Sequence, residues 1–285
     1  MASLSERFVR VNSDFPCPVC GRPDWCLVSR DGKKAICQRQ ESDIPVSRYD
    51  EIGYIHFIDQ IPPGEIPKQS LSPKIDPALI EEEVARYAIF AVRGWCRGVA
   101  RDMGVSPYAI EDLDFGWSPE NNSLAVPMRD GRFNVVGVQY RRGEKKWMMA
   151  GGRAGLFIPH SVVTQKPSLL VISEGVSDCA AALSMGLSSI GRAACRSGKE
   201  FVKDFLSWNP LANRIIIAAD SDPCGLTGAK RLAKFIKTPE NKVAVIRPRL
   251  LKDLRETYEV GCTKHDLLSA VCGSKNFFWE LVRDD

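Results

Sequence analysis

The chain has 285 residues, of which 44% are hydrophobic and 26% are charged, and its formal net charge is +4 at pH 7. This composition excludes a fully disordered chain, and the small net charge means that any affinity for nucleic acid must come from a local patch. No apolar run approaches the ~18 residues that cross a bilayer, and the polar N-terminus does not resemble a secretory signal. We therefore expect a soluble, cytoplasmic protein with no membrane partner.

The first 58 residues contain four of the ten cysteines of the chain. A head this small is expected to need a metal ion to stabilise its fold. Clustered cysteines in a protein without an export signal predict a metal site rather than disulfide bonds, and the six scattered cysteines are expected to be small core residues. The first two cysteines have the C-x-x-C spacing of a zinc knuckle. The predicted ligands of one structural Zn²⁺ are Cys17, Cys20, Cys26 and Cys37.

A predicted β-hairpin over residues 25–39 brings the second cysteine pair together. It turns at Asp31-Gly32, a favoured type I′ pair, and its register places Cys26 opposite Cys37. Opposed side chains lie ~5 Å apart, which allows two thiolates to share one tetrahedral ion. His56 is the alternative to Cys26 as fourth ligand.

The rest of the chain divides by its pattern of apolar residues. A proline-rich linker is predicted over 59–78. Helical spacing followed by short strands predicts a mixed α+β region over 79–166, and alternating strands and helices predict a parallel α/β sheet over 167–255. We thus expect a multidomain protein with a small β head, an α+β region and an α/β domain, followed by a C-terminal tail over 256–285.

Carboxylates follow two of the predicted parallel strands. Glu174 comes directly after strand 169–172, and Asp220 and Asp222 come directly after strand 215–219. The carboxyl ends of parallel strands meet at one edge of a sheet, where open α/β sheets bind ligands. Taken alone, Asp220 and Asp222 would be better explained as a solvated loop or a helix cap, and Glu174 as a surface residue after a strand. Together, the repeated strand–carboxylate–glycine pattern favours a functional site.

Two further carboxylates are candidates for the same site. Asp178 lies one helical turn beyond Glu174, and Asp253 follows the third strand after a short loop and is the weaker candidate. Several carboxylates that converge on one point repel one another and require cations. Hard oxygen ligands with open positions favour two or more Mg²⁺ or Mn²⁺ ions, held jointly with substrate phosphates.

A basic strip, residues 129–153, contains seven basic and two acidic residues. Basic residues beside an aromatic ring, here Trp147, suit a nucleic-acid groove, although a solvated strand face is the alternative. Two arginines near a strand end, Arg192 and Arg196, could add phosphate contacts or be surface charges. The basic residues of the strip are Arg129, Arg132, Arg141, Arg142, Lys145, Lys146 and Arg153.

Taken in order, these motifs resemble bacterial and phage-type DNA primases of the DnaG kind, which join a zinc ribbon to a TOPRIM catalytic core. The similarity covers most of residues 15–255 and departs from cellular primases at Gln40, where a last cysteine would stand. The motifs that carry it are Glu174-Gly175-x-x-Asp178, Asp220-x-Asp222-x-x-Gly225, Lys252-Asp253, Phe115-Gly116-Trp117, Val136-Gly137-Val138-Gln139-Tyr140-Arg141 and Gly155-Leu156-Phe157-Ile158-Pro159.

The resemblance implies a DNA-dependent RNA primase that makes short primers on single-stranded DNA from ribonucleoside triphosphates, by metal-dependent nucleotidyl transfer during replication. Glu174, Asp220 and Asp222 would be catalytic, and Arg141 and Lys146 would hold template or nucleotide. Because no G-x-x-x-x-G-K-[ST] motif occurs, a replicative helicase is expected in trans. The compact form suggests a phage or mobile-element origin. A TOPRIM nuclease and a recombination or repair protein are the alternatives.

Overall fold

The computed structural model describes residues 8–23, 25–46, 53–62, 64–67, 75–91, 93–195, 197–274 and 277–282. The chain folds as two compact units, Met1–Pro73 and Lys74–Asp285. None of the helices in these described ranges is long and apolar enough to cross a membrane.

The first unit is built on a four-stranded antiparallel sheet. Its strands follow one another in chain order: β1 (Phe8–Arg10), β2 (Leu27–Ser29), β3 (Lys34–Cys37) and β4 (Tyr54–Phe57). Val28 pairs with Ala35, which is the register expected for the hairpin. The predicted turn was wrong in detail, because positive φ occurs at Gly32 and not at Asp31, whereas a type I′ turn needs both. Residues 30–33 form a longer loop instead.

The second unit carries nine helices and ten strands within its described residues. The helices are α1 (Pro77–Ala88), α2 (Arg93–Met103), α3 (Pro107–Asp112), α4 (His160–Gln165), α5 (Gly175–Ser184), α6 (Lys199–Trp208), α7 (Pro223–Ile236), α8 (Leu254–Glu259) and α9 (Lys264–Val271). The strands are β5 (Gly116–Ser118), β6 (Ser123–Arg129), β7 (Val135–Arg142), β8 (Lys145–Met148), β9 (Leu156–Phe157), β10 (Leu169–Glu174), β11 (Ser189–Arg192), β12 (Arg214–Ala218), β13 (Lys242–Pro248) and β14 (Trp279–Val282).

These ten strands form one sheet, in the order β14-β13-β12-β10-β11-β9-β6-β7-β8, with β5 paired to β6. Strands β10 to β13 pair in parallel, as the alternating pattern predicts. The two-residue strand β9 pairs antiparallel with both β6 and β11. The α+β and α/β regions, expected from sequence as separate subdomains, therefore share a single sheet.

The parallel strands are buried on both faces. Val171, Ile216 and Ile246 belong to one core cluster, with helices α2, α3 and α5, while Ile172 and Ile217 belong to a second cluster with α6 and α7. Alternate residues of a strand point to opposite faces, so both faces must be apolar here. This explains why these strands appear in the sequence as continuous apolar runs, without the alternation of a half-exposed strand.

Two stretches depart from the predicted elements. The region 79–113 contains three helices, because Gly104 ends α2 at φ +67° and Ser106 caps a new helix that starts at Pro107. Residues 256–285, expected to form a tail, instead contribute α9 and the edge strand β14. The side chain of Trp279 in β14 is fully buried.

Candidate functional site

Four thiols meet in the first unit. The Sγ atoms of Cys17, Cys20, Cys26 and Cys37 all lie within 4.8 Å of one another. Cys26 Sγ is 3.7 Å from Cys20 Sγ and 3.9 Å from Cys37 Sγ. A tetrahedral Zn²⁺ with Zn–S bonds of ~2.3 Å places its sulfur ligands about 3.8 Å apart. The geometry therefore fits a tetrahedral metal ion held by four cysteines.

Backbone donors surround this cysteine cluster and favour thiolates. The N–H groups of Arg39 and Gln40 donate to Cys37 Sγ at 3.4 and 3.2 Å. Partial burial would raise the pKa of Cys20, but the Arg22 backbone and the neighbouring thiols lower it to about 7. Burial raises the pKa of Cys17 and Cys26, whose protons would be displaced by a metal.

His56 lies apart from the cysteine cluster. It pairs with Ala35 across β3 and β4, and its Nε2 atom lies 3.1 Å from the carbonyl oxygen of Gln40. The cluster found among the described residues consists of the four cysteines. The geometry thus favours Cys26 over His56 as the fourth ligand, and Gln40, at the position of a missing cysteine, contributes its backbone instead.

Five carboxylates form an acidic group near the carboxyl ends of β10, β12 and β13 in the second unit. Burial, and then the charges of Glu174, Asp178, Asp253 and Asp222, raise the pKa of Asp220 to about 8, so these side chains lie close enough to interact. Burial and Asp253 likewise raise the pKa of Asp178 to about 7. Among the described residues, no three of these carboxylates offer oxygen atoms within 4.8 Å of one another. Each Mg²⁺ or Mn²⁺ ion would therefore be held by one or two of them, with waters completing its coordination, which is an ordinary arrangement for these ions.

Two glycines shape the backbone around these acids. Gly175 starts α5 immediately after Glu174 with φ +85°, a left-handed conformation that glycine adopts without a steric penalty. A Cβ atom at Gly225 would lie 2.7 Å from the Cβ of Asp220, so only glycine allows helix α7 to start this close to the strand end. These glycines belong to the motifs identified in the sequence.

Two of the carboxylates also cap helices. Asp222 is exposed and accepts a hydrogen bond from the N–H of Gly225 at 2.7 Å, at the start of α7. Asp253 accepts one from the N–H of Glu256 at 2.9 Å, at the start of α8. Asp253 is only 7% exposed and interacts with Asp178, so it belongs to the interior of the acidic group and not to its margin.

Basic residues face this acidic group from the β7–β8 hairpin. Arg141 pairs with Lys146 across the two strands. Burial and nearby cations lower the pKa of both side chains, whereas the charge of Asp178 raises it. Glu174, whose own pKa is raised by burial, is also stabilised as an anion by Arg192 and Lys146. Arg141 and Lys146 therefore lie beside the carboxylates, although they come from a different region of the chain.

The basic strip does not form one continuous surface. Arg153 donates its backbone N–H to Val136 at the start of β7, whereas Arg141 lies five residues further along that strand, roughly 17 Å away. Arg129 is 7% exposed, forms an ion pair with Asp114 and stacks on Phe133. Arg129 is thus a structural residue, and the residues of the basic strip that lie near the acidic group are those of the β7–β8 hairpin.

Arg192 and the loop that follows it depart from expectation. Arg192 ends β11 opposite Glu174 and is 4% exposed, so it is not a surface charge. Arg196 lies outside the described residues. Cys195 and Cys224, expected to be core residues, are half-buried and form a disulfide that links this loop to the start of α7. Their proximity could not be foreseen, because they are 29 residues apart in sequence.

The segment that leads into α8 also contributes to the acidic group, and of its basic residues only Lys252 belongs to a motif identified in the sequence. The backbone N–H of Arg255 donates to Asp178 Oδ1 at 2.9 Å, and the carbonyl of Lys252 accepts from Ser221 at 2.8 Å. Lys252 and Arg255 lie in the loop and the first turn of α8, beyond β13. They bring two more cations close to the carboxylates.

Without added divalent cations, Asp220→Asn is expected to stabilise the protein at pH 7 by about 1–3 kcal/mol. The pKa of Asp220 is raised on folding, so between pH ~4 and ~8 the folded state binds more protons than the unfolded state. Stability therefore falls as pH rises through that window. The extra stability of Asp220→Asn over the wild type should vanish near pH 4. Thermal melting of both proteins over a range of pH measures this difference.

The matched control for this prediction is Asp222→Asn. Asparagine caps helices as well as aspartate does, and Asp222 is exposed, so the stability of Asp222→Asn should stay close to that of the wild type across this pH range. An Asp220→Asn variant that melts at or below the wild-type temperature at pH 7 would contradict the electrostatic account.

Comparison with solved structures identifies proteins of the same fold. The E. coli primase catalytic core superposes with a TM-score of 0.54 and 15% identity, over 70% of this chain and 80% of that chain. A DnaG primase catalytic domain bound to ssDNA gives a TM-score of 0.54 and 15% identity, over 70% and 81%. A DNA primase domain from Pseudomonas aeruginosa gives 0.50 and 12%, over 65% and 74%.

The chain therefore has the fold of DnaG-type primase catalytic cores, as the sequence resemblance predicts. No protein-family model and no curated protein matches the sequence. At 12–16% identity these structural similarities establish the fold.

Proposed function

We propose that this protein is a DNA primase that synthesises short RNA primers on a single-stranded DNA template. The observation that carries the proposal is the convergence of five carboxylates, at the ends of parallel strands, beside the cations of the β7–β8 hairpin. This arrangement occurs within a fold shared with primase catalytic cores, one of them solved with ssDNA. Nucleotidyl transfer requires carboxylates that bind metal cations and basic side chains that bind phosphates.

The carboxylates would hold Mg²⁺ or Mn²⁺ ions, which would neutralise the triphosphate and stabilise the leaving pyrophosphate. Asp220, Asp222 and Asp253 supply hard oxygen ligands at the strand ends. Asp178 is almost fully buried behind them and is held by the backbone of Arg255, so it orients the group. Glu174, with its raised pKa, is suited to accept the proton of the attacking 3′-hydroxyl.

The basic side chains would bind different phosphates according to their position. Arg141 and Lys146, beside the carboxylates, would hold the phosphates of the incoming nucleotide. The exposed Arg142 and Lys145, at the tip of the same hairpin, would contact template phosphates, and Arg153 would do so at the opposite end of β7. In the first unit, the cysteine cluster would hold one structural Zn²⁺.

Incubation of the full chain with single-stranded DNA, Mg²⁺ and labelled ribonucleoside triphosphates tests this function. We expect labelled RNA oligomers to appear only when template and metal are both present. Shortening of the DNA in place of RNA synthesis would indicate a nuclease using the same acids. DNA binding with neither product would indicate a recombination or repair protein, and either result would overturn the proposal.

A further inference from the structure

A cavity of about 670 Å³ lies beside the acidic group in the second unit. Its volume falls within the ~300–1,000 Å³ typical of pockets that bind small organic ligands. Helix α2 and the β5–β6 hairpin form a largely apolar wall, to which they contribute Trp95, Val99, Met103 and Trp117. Both tryptophans are only half-buried, and both line the cavity, so part of each ring is accessible to a ligand.

Another part of the cavity lining, the cationic wall, carries basic side chains. The β7–β8 hairpin contributes Arg141 and Lys146, and the segment leading into α8 contributes Lys252 and Arg255. Among the described residues, the buried Nη1 atom of Arg141 has no hydrogen-bond partner. A buried donor without an acceptor is costly, so this atom indicates a ligand that supplies one. Asp253 lines the same wall and connects the cavity to the acidic group.

We propose that the cavity binds the incoming nucleoside triphosphate, with its base against Trp95 and Trp117 and its phosphates toward the cationic wall. The inference rests on the proposed primase function and adds a subsite that recognises the base. A ligand with a flat aromatic end and an anionic end matches the two walls, and its phosphates then reach the carboxylates past Asp253. A volume of about 670 Å³ suits one nucleotide.

A base subsite built from tryptophan rings determines a preference among nucleotides. Stacking strengthens with the area of the ring system, so purines should bind more tightly than pyrimidines, and phosphates without a base should bind less tightly than either. The cationic wall does not distinguish ATP from CTP, because both carry the same triphosphate. Inorganic tripolyphosphate is the more highly charged anion, so the cationic wall by itself would bind it at least as tightly as either nucleotide, and tighter binding of ATP reports the base subsite.

Calorimetric titration of the full chain in Mg²⁺ with ATP, CTP and inorganic tripolyphosphate tests the inference. Wild-type protein should bind ATP at least tenfold more tightly than tripolyphosphate. Trp95→Leu and Trp117→Leu retain apolar contact with the core, yet at least one of them should weaken ATP binding by roughly ten- to a hundredfold. Tripolyphosphate affinity should stay unchanged, which also shows that the variant is folded.

Two controls isolate the aromatic ring. Trp95→Phe and Trp117→Phe should keep ATP affinity within a few-fold, because phenylalanine still stacks. Tyr108→Leu removes an exposed aromatic residue of α3 outside the cavity and should change nothing.

Equal affinity of wild-type protein for ATP and tripolyphosphate would overturn the inference, as would unchanged ATP affinity in both leucine variants. Primer synthesis by the same wild-type preparation separates this failure from that of the proposed function. Synthesis without a base preference in binding overturns the base subsite alone, whereas absence of synthesis overturns the primase proposal itself.

Discussion

Primer synthesis is expected to fall roughly a thousandfold in Glu174→Gln and in Asp220→Asn, with the fold intact in both. Each substitution keeps the shape of the side chain but removes an anionic ligand at a strand end. The loss corresponds to about 4 kcal/mol of transition-state stabilisation. Neither side chain fills the apolar core, so no cavity is created, and the loss of like charge leaves stability unchanged or raised.

The measurement is the rate of primer synthesis and the melting temperature on the same preparations. Glu240→Gln, an exposed carboxylate between α7 and β13, is the matched control and should keep full activity. Asp253→Ala should lose activity, because it removes a carboxylate of the acidic group. Its stability should also fall, because loss of the cap on α8 outweighs the relief of repulsion from Asp178. Near wild-type synthesis by a folded Glu174→Gln or Asp220→Asn protein would refute the assignment of the acidic group.

Cys26→Ala is expected to release the metal and to unfold the first unit. Structural zinc contributes roughly 10–16 kcal/mol in small zinc-binding domains, which is as large as the ~5–15 kcal/mol that stabilises a whole domain. The cysteine cluster also makes up much of the small core here, in contact with Val11, Val28 and Ala35. Among the described residues of this unit, no second apolar cluster would compensate for loss of the metal.

Metal content per chain and amide exchange in β2 and β3 measure this effect in the full-length protein. His56→Ala should retain one zinc ion, since its imidazole lies at the Gln40 carbonyl. Cys272→Ala, which removes an exposed cysteine of the second unit, should also retain it. Stoichiometric zinc in Cys26→Ala would show that another residue completes the site.

Local sequence patterns determined those features that depend on neighbours in the chain. The spacing Cys17-x-x-Cys20 and the hairpin register of Val28 with Ala35 predicted the cysteine cluster, because a turn and a hairpin are short-range structures. The acids that follow β10 and β12 were equally recognisable. Parallel strands must end at one edge, so their positions followed from the strand pattern alone.

Only the tertiary structure decided which distant residues meet. The pairing of β9 with both β6 and β11 joins the two halves of the second unit into one sheet. Arg129 lies in the same basic run as Arg141, yet one is buried against Asp114 and the other faces Asp178. Charge and periodicity in the sequence do not predict such long-range contacts. The same residue type occurs in several environments, and only the folded structure shows which of them each residue occupies.

The cavity beside the acidic group illustrates the same limit. Trp95 and Lys252 are more than 150 residues apart, and each by itself is an ordinary helix or loop residue. They line one cavity because α2 packs on the sheet whose strand β13 leads into the Lys252 loop. The sequence by itself thus determined the local ligand motifs, while the long-range packing of helices on the sheet assembled them into a site.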